Sequence, residues 1–210
     1  MTIPVNVIDH PLIKHKLSLV RSRSTAPDSF RRLIREISWL MAYELTRDLP
    51  LEQVTVDTPV ASAAVPMLSG KAPCIVSVLR AGNGMLDGFL EVLPSAAVGH
   101  IGLVRDPSTL AVSEYYFKMP ADIAERRAII VDPMLATGHS AVAAVRRVLE
   151  CGVGQLKYAC LLAAPEGIAA LQAAYTEVEI HTASIDDRLN EYGYIVPGLG
   201  DAGDRLFGTT

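Results

Sequence analysis

The segment Ala128-Ile-Ile-Val-Asp-Pro-Met-Leu-Ala-Thr-Gly-His-Ser140 constrains the fold of this chain more than any other. Four consecutive apolar residues read as a strand buried on both faces. The strand ends in an acid, and a short polar turn leads into a helix expected over 141–151. From residue 74 onward the same arrangement recurs: 74–79, 98–104, 156–162 and 178–181 are further short apolar runs, and 86–93 and 166–174 have the composition of helices between them. Such β-α-β alternation predicts an α/β fold with a mainly parallel sheet, flanking helices and right-handed crossovers. Residues 112–117 break the alternation and suit one strand of a hairpin or flap after Arg105.

Ahead of this region, Phe30, Leu33, Ile34, Ile37, Leu40, Met41 and Leu45 recur at helical spacing, with Asp28 or Ser29 as the expected cap. Val54, Val56, Thr58 and Val60 alternate as in a half-buried strand, and 66–73 reads as a turn region. At the other end, residues 190–210 are rich in Gly, Pro and Asp and are expected to be irregular, with Tyr194, Ile195, Val196 and Leu199 packing over the body. A length of 210 residues suits one domain, here with an N-terminal helical extension of about residues 1–50.

A chain that is 50% hydrophobic and 20% charged is not a disordered one, and a net charge of −4 speaks against a nucleic-acid partner. Cys74, Cys151 and Cys160 show no CxxC spacing, so neither a disulfide framework nor a zinc site is expected, and a reducing cytoplasm fits. No stretch has the length of a membrane span, and no signal-peptide run opens the chain.

Thr137, Gly138, His139 and Ser140 can direct backbone N–H groups and hydroxyls at one anion beside the positive end of the following helix. The dipole alone offers only ~0.3–1 kcal/mol at an exposed site, so converging hydrogen bonds must supply most of the affinity. A helix capped by Thr137 or Ser140, with Asp132 as a turn residue, fits the same residues. Placement favours a ligand, because open α/β sheets bind at the carboxyl ends of their strands. In Val78-Leu-Arg-Ala-Gly-Asn-Gly-Met-Leu-Asp-Gly88 a second strand enters a Gly-rich turn, where Arg80 and amides freed by Gly82 and Gly84 suit a diphosphate; a loop with a solvated Arg is the alternative. Gly198, Gly200 and Gly203 satisfy GxGxxG, but the chain ends too soon after them to complete a dinucleotide-binding unit. A coil laying its backbone against a planar ligand is the better reading.

In these segments the chain resembles the uracil phosphoribosyltransferases of the type I phosphoribosyltransferase superfamily. Val131-Asp-Pro-Met-Leu-Ala-Thr-Gly-His-Ser140 is similar to their phosphoribosyl diphosphate motif, and Gly193-Tyr-Ile-Val-Pro-Gly-Leu-Gly-Asp-Ala-Gly-Asp-Arg-Leu-Phe-Gly208 to their C-terminal hood. Ala163-Ala-Pro-Glu-Gly-Ile-Ala-Ala-Leu171, Thr182-Ala-Ser-Ile-Asp186 and His10-Pro-Leu-Ile-Lys-His-Lys-Leu17 extend the likeness over essentially the whole chain. It implies transfer of the phosphoribosyl group of phosphoribosyl diphosphate to N1 of uracil, giving uridine monophosphate (UMP) and pyrophosphate.

The resemblance further implies Asp132, Arg105 and Asp201 as catalytic groups. It places phosphoribosyl diphosphate on Arg80, Arg105, Asp132, Pro133, Met134, Leu135, Ala136, Thr137, Gly138, His139, Ser140 and Asp201. Uracil falls on Ile195, Gly200, Asp201 and Ala202. Mg²⁺ is expected through the diphosphate and water, with Asp201 as its candidate protein partner. A β-hairpin flap at 105–119, a hood at about 186–210, activation by GTP and a homodimer or homotetramer complete the expectation. His139 and Asn83 stand where Gly and Leu are usual, and Arg188 where Gly is frequent. Asp186 and Glu191 are also readable as solvated loop acids. A protein that binds phosphoribosyl diphosphate or UMP for regulation, with little turnover, is the alternative from another class.

Overall fold

The computed structural model describes residues 5–105 and 112–209, apart from the side chains of Arg105 and Val112. In chain order the elements are β1 (Asn6–Val7), α1 (Pro11–Arg21), α2 (Pro27–Leu45), β2 (Leu51–Asp57), β3 (Ser62–Leu68), β4 (Cys74–Leu79), α3 (Asn83–Val92), β5 (Ala97–Arg105) and β6 (Val112–Lys118). They continue as β7 (Ala128–Val131), β8 (Met134–Leu135), α4 (His139–Leu149), β9 (Leu156–Ala163), α5 (Pro165–Ala174), β10 (Glu179–Ile185), β11 (Arg188–Leu189), β12 (Ile195–Val196) and α6 (Ala202–Phe207).

The main sheet runs β1-β10-β9-β7-β4-β5-β6, with β8 paired to β9. Its pairs are parallel except β5 with β6, which form the hairpin anticipated after Arg105. Every residue of β7 is buried, as are all but one of β9, because helices cover both faces. One core lies with α1, α2, α3 and α6, the other with α4 and α5. Each fully buried aliphatic side chain in them contributes about 1.5–3 kcal/mol.

Chain order sets the site. From β4 the chain steps to β5 on one side, whereas β7 lies on the other side of β4. The loops leaving the carboxyl ends of β4 and β7 therefore lie side by side at the reversal of strand order, where such sheets accept ligands.

Three local expectations change. Helix α2 begins at Pro27 behind Ala26, which makes no side-chain cap bond, and Asp28 lies inside the first turn. Proline's fixed φ starts the helix there, and Asp28 complements its dipole. Of the residues read as a half-buried strand, Val54 and Val56 lie in β2 of a mostly exposed antiparallel ribbon, β2 with β3, and Thr58 and Val60 in the link between its strands. Alternation was present without a core to face, and Pro66, expected in a turn, sits within β3 opposite Gln53. A two-stranded ribbon has only edge strands, so it tolerates this proline. Finally, the C-terminal segment contains α6, too short to show a period, capped by Asp201 accepting from the Asp204 N–H at 2.9 Å and closed by Gly208 at φ 65°.

Candidate active site

Asp132 follows the last residue of β7, and its N–H still bonds the Ala159 carbonyl at 3.1 Å, so the strand's pairing fixes where the acid emerges. The residue is half-buried. Burial pushes its carboxyl up to about 7, opposed by hydrogen bonds from the Met134 N–H and the Tyr158 hydroxyl. Pro133 accepts from the Leu161 and Leu162 N–H groups at 3.0 and 3.1 Å, and Leu135 from Ala164 at 2.9 Å. The turn after Asp132 is thereby fastened to β9.

At Gly138 the backbone takes φ 84°, and a Cβ there would lie 2.7 Å from that of Ala170. Gly167, like Ala170 a residue of α5, lies against the same turn, where a Cβ would overlap the Ala136 carbonyl oxygen. Both glycines are required by packing. His139 opens α4 in helical conformation, so the left-handed residue is Gly138, and a non-Gly residue at 139 carries no backbone strain. Its exposed ring places Nδ1 3.4 Å from the Thr137 hydroxyl. Helix geometry leaves the first-turn N–H groups of α4, including those of His139 and Ser140, without intrahelical partners and suited to an anion.

The loop after β4 touches this turn: a Cβ on Gly82 would lie 2.5 Å from the Val131 carbonyl oxygen. Asn83 accepts a 2.8 Å hydrogen bond from buried Ser77, which gives this side chain a role that leucine lacks. Arg80 is exposed. Its guanidinium reaches Asp204 at 3.3 Å and the Thr209 hydroxyl at 3.4 Å, and lies 5.8 Å from the Phe207 ring. Such exposed pairs are worth roughly 0–1 kcal/mol and yield readily to a stronger anion. Arg105 ends β5 opposite Val112; its side chain and residues 106–111, hence the flap tip, lie outside the described residues.

The hood is held by long-range contacts. Buried Asp186 takes both Arg21 Nη atoms, at 2.5 and 2.6 Å, and the Gly198 N–H at 2.9 Å. Burial pushes this carboxyl up, but Arg21 and the other donors outweigh it, leaving it below the usual range. Asp186 is thus no solvated acid, whereas Glu191 is exposed. Glu166 accepts from the Leu189 N–H at 3.0 Å. Arg205 spans from α6 to the carbonyls of Val20, Leu199 and Ser22 and lies 4.3 Å from the Phe30 ring. At Gly198, φ 62°, a Cβ would overlap the Ile195 carbonyl, so the hood's tight turn requires glycine.

Between the turn and the hood lies a cavity of about 330 Å³ lined by Ala81, Asp132, Met134, Ala136 and residues 192–195 and 200–203. It brings together Asp132, Met134, Ala136, Ile195, Gly200, Asp201 and Ala202. Pro133 and Leu135 are buried beneath it, and Thr137 to Ser140 continue the same turn into α4. Ala81, Tyr192, Gly193, Tyr194 and Gly203 also line it; Gly203 was read as part of a ligand-facing coil and Tyr194 only as packing, whereas Ala81, Tyr192 and Gly193 were assigned no role, because sequence reasoning follows chemistry-bearing residue types. A cleft at the amino ends of β7, β9 and β10 has its cations engaged already, Lys157 with Asp48 at 2.7 Å and Arg127 with Asp48 at 3.2 Å.

The profile of the family described as uracil phosphoribosyltransferase matches residues 7–209. The uracil phosphoribosyltransferase of Acidovorax ebreus (strain TPSY) is 58% identical over 205 residues, 98% of each chain. The structure of the AQ2163 protein from Aquifex aeolicus superposes with a TM-score of 0.94 at 37% identity, covering 99% of both chains. A purine phosphoribosyltransferase from Pyrococcus horikoshii Ot3, at 16% identity and a TM-score of 0.50 over 73% of this chain and 84% of its own, shares the fold alone.

Proposed function

The chain belongs to the uracil phosphoribosyltransferase family, and we propose that the cavity between the Asp132 turn and the hood is where its reaction takes place. The enzyme transfers the phosphoribosyl group of phosphoribosyl diphosphate to uracil, yielding UMP and pyrophosphate, a pyrimidine salvage reaction. The observation that carries the site assignment is the convergence on one cavity of Asp132 at a parallel strand end, Met134 and Ala136 of the turn that follows it, and a backbone-rich hood.

N1 of uracil attacks the anomeric carbon; the C1–O bond to pyrophosphate breaks with inversion, and the N1 proton leaves. Residues 136–140 hold the 5′-phosphate through N–H groups and hydroxyls. Pro133, Met134 and Leu135 carry the backbone past the ribose, whose hydroxyls Asp132 accepts. Asp132 also lies where negative charge favours the oxocarbenium-like transition state. Arg80 exchanges Asp204 for the diphosphate, and the family resemblance gives Arg105 the same ligand.

In the hood, main-chain groups around Ile195, Gly200, Asp201 and Ala202 complement uracil's acceptor-donor-acceptor edge. Hydrogen bonding there favours the uracil anion in place of a side-chain base, and a flat alkaline limb in the pH dependence of kcat/KM would count against this. Cytosine would leave a buried donor against a donor, and sites of this type discriminate by ~10⁴–10⁵.

Among the described residues no group of three or more His, Cys, Asp or Glu forms a metal cage. Isolated oxygen donors on the cavity wall suit Mg²⁺, which takes substrate oxygens and water as most of its ligands. Asp201 would hold it through water, with one carboxylate oxygen engaged in capping α6. The ion supplies charge neutralisation on the diphosphate.

Assembly as a homodimer or homotetramer belongs to the same proposal. It is supported by the β2–β3 ribbon, which exposes Leu51, Val54, Met67 and Leu68 and which as an isolated pair would be marginal in water. A monomeric mass in solution would contradict it. GTP activation is supported by a cleft beside Asn83 and Leu206 that gathers Arg31, Arg32, Arg35 and His100, where exposed pairs of Arg32 with Glu36 and Arg35 with Glu91 would yield to a polyanion; an unchanged rate with GTP would count against it. The buried, unpaired thiols of Cys74 and Cys160 suit a reducing cytoplasm, and no helix among the described residues is long and apolar enough to cross a membrane.

The test of the reaction offers phosphoribosyl diphosphate and Mg²⁺ with uracil, cytosine or hypoxanthine. UMP from uracil alone is expected. Turnover of hypoxanthine, or tight binding of phosphoribosyl diphosphate without turnover of any base, would contradict the proposal.

A further inference from the structure

Asp132 has a partner that the mechanism above does not use. In the parallel pair of β7 and β9, Ile130 stands opposite Tyr158 and Val131 opposite Ala159. Strand side chains alternate in direction, so Asp132, two places beyond Ile130, falls on the same face as Tyr158. Neighbours offset diagonally by two residues are within reach of a long aromatic side chain. The Tyr158 hydroxyl lies 3.3 Å from Asp132 Oδ2.

Tyr158 is fully buried within the core beneath α4 and α5. Phenylalanine would fill the same volume without a polar atom. A buried hydroxyl is unfavourable unless it is hydrogen-bonded, and Asp132 is the acceptor this one finds. Burial, followed by the neighbouring Asp132 charge, holds the phenol's pKa well above its ordinary value, so Tyr158 stays a donor wherever Asp132 titrates.

We propose that Tyr158 is a positioning residue for phosphoribosyl transfer: its hydroxyl fixes the orientation of the Asp132 carboxylate and favours its ionised form. This rests on the assignment of Asp132 to the ribose. An ionised carboxylate has about four acceptor sites, so bonds from Tyr158 and the Met134 N–H leave others for ribose hydroxyls. Burial alone would protonate Asp132 near neutral pH, which removes its charge and turns one of its acceptor oxygens into a donor. A donor to the charged form acts against that.

The other ionisable groups around Asp132 are Cys160 on β9, pushed up to about 12 by burial and therefore neutral, and Tyr192, Tyr194 and Asp201 on the cavity wall. Arg80, at the end of neighbouring β4, is engaged by Asp204.

Tyr158→Phe keeps the ring and deletes the hydroxyl. The acid limb of kcat/KM for phosphoribosyl diphosphate is expected to move up by about one pH unit, a loss of about tenfold on that limb, with a smaller loss persisting at alkaline pH, where only the orientation of the carboxylate is affected. A carbon-13 titration of the Asp132 carboxyl, assigned by Asp132→Asn, should rise in parallel in ligand-free protein. In an Asp132→Asn background, Tyr158→Phe should cause no further loss of affinity for phosphoribosyl diphosphate. An unmoved acid limb and an unmoved titration, or an equal loss of affinity in both backgrounds, would assign Tyr158 to packing alone and overturn the proposal. The titration needs no turnover, so its result stands apart from whether uracil proves to be the substrate.

Discussion

At the scale of single residues, the requirements of the reaction oppose those of the fold. Asp132 must be ionised to serve the ribose, yet burial raises its pKa to about 7 from an ordinary 3.8. Between these values the folded state binds more protons than the unfolded one, so this group's contribution to stability falls as pH rises from about 4 to 7. Asp132→Asn is therefore expected to melt with the wild type near pH 4 and above it at pH 8, by about 1–2 kcal/mol after allowance for water in the open cavity. Ligand-free thermal melts at the two pH values check this; a mutant less stable at pH 8 would contradict it. Gly138 and His139 separate in the same way. Gly138→Ala is strained by φ 84° and meets Ala170, so it should raise KM for phosphoribosyl diphosphate at least tenfold, whereas His139→Gly should change it less than threefold. Steady-state kinetics of both variants would distinguish a loop that binds through its backbone from one that needs the imidazole. Asp132 and the turn were legible because strand, acid and glycine are contiguous. Tyr158 was not, since an aromatic in a distant strand looks like any core residue until the register is known.

Among the elements, the central strands were the most legible. β4, β7 and β9 are covered on both faces and so appear as apolar runs, interrupted by Ser77 in β4 and Lys157 in β9. The β2–β3 ribbon was misread because alternation reports a two-faced strand without saying what covers either face. The hood's identity was visible in its motif, but its attachment was not. That attachment is Arg21 of α1 gripping Asp186 ahead of β11, between groups far apart in sequence. Breaking a buried pair by removing one partner costs about 3–5 kcal/mol, because a charge is left uncompensated. Arg21→Met should accordingly lower the melting temperature and raise KM for uracil more than KM for phosphoribosyl diphosphate, since it frees the hood while the turn stays fastened to β9. Because the Asp186 pKa is depressed, the pair's contribution is present above the ordinary carboxylate range and is lost as acid protonates it. Equal changes in both KM values would mean that the hood is not positioned through Arg21.

For the whole molecule, strand order makes the site. Alternating elements predicted a parallel sheet, but not that β7 would lie beside β4 on the side away from β5. That placement lets the Asp132 turn and the Gly82 loop meet, with α1 and α2 anchoring a hood across them. Sequence patterning has no access to sheet order, which depends on how the helical layers share two faces. The central claim is that this crevice performs phosphoribosyl transfer to uracil with Asp132 on the ribose. Its most direct test is the steady-state rate of UMP formation by wild type and Asp132→Asn at saturating uracil, phosphoribosyl diphosphate and Mg²⁺. The account predicts steady turnover by the wild type and a rate lower by about a hundredfold or more in a mutant that remains folded. Equal rates from the two proteins would contradict it.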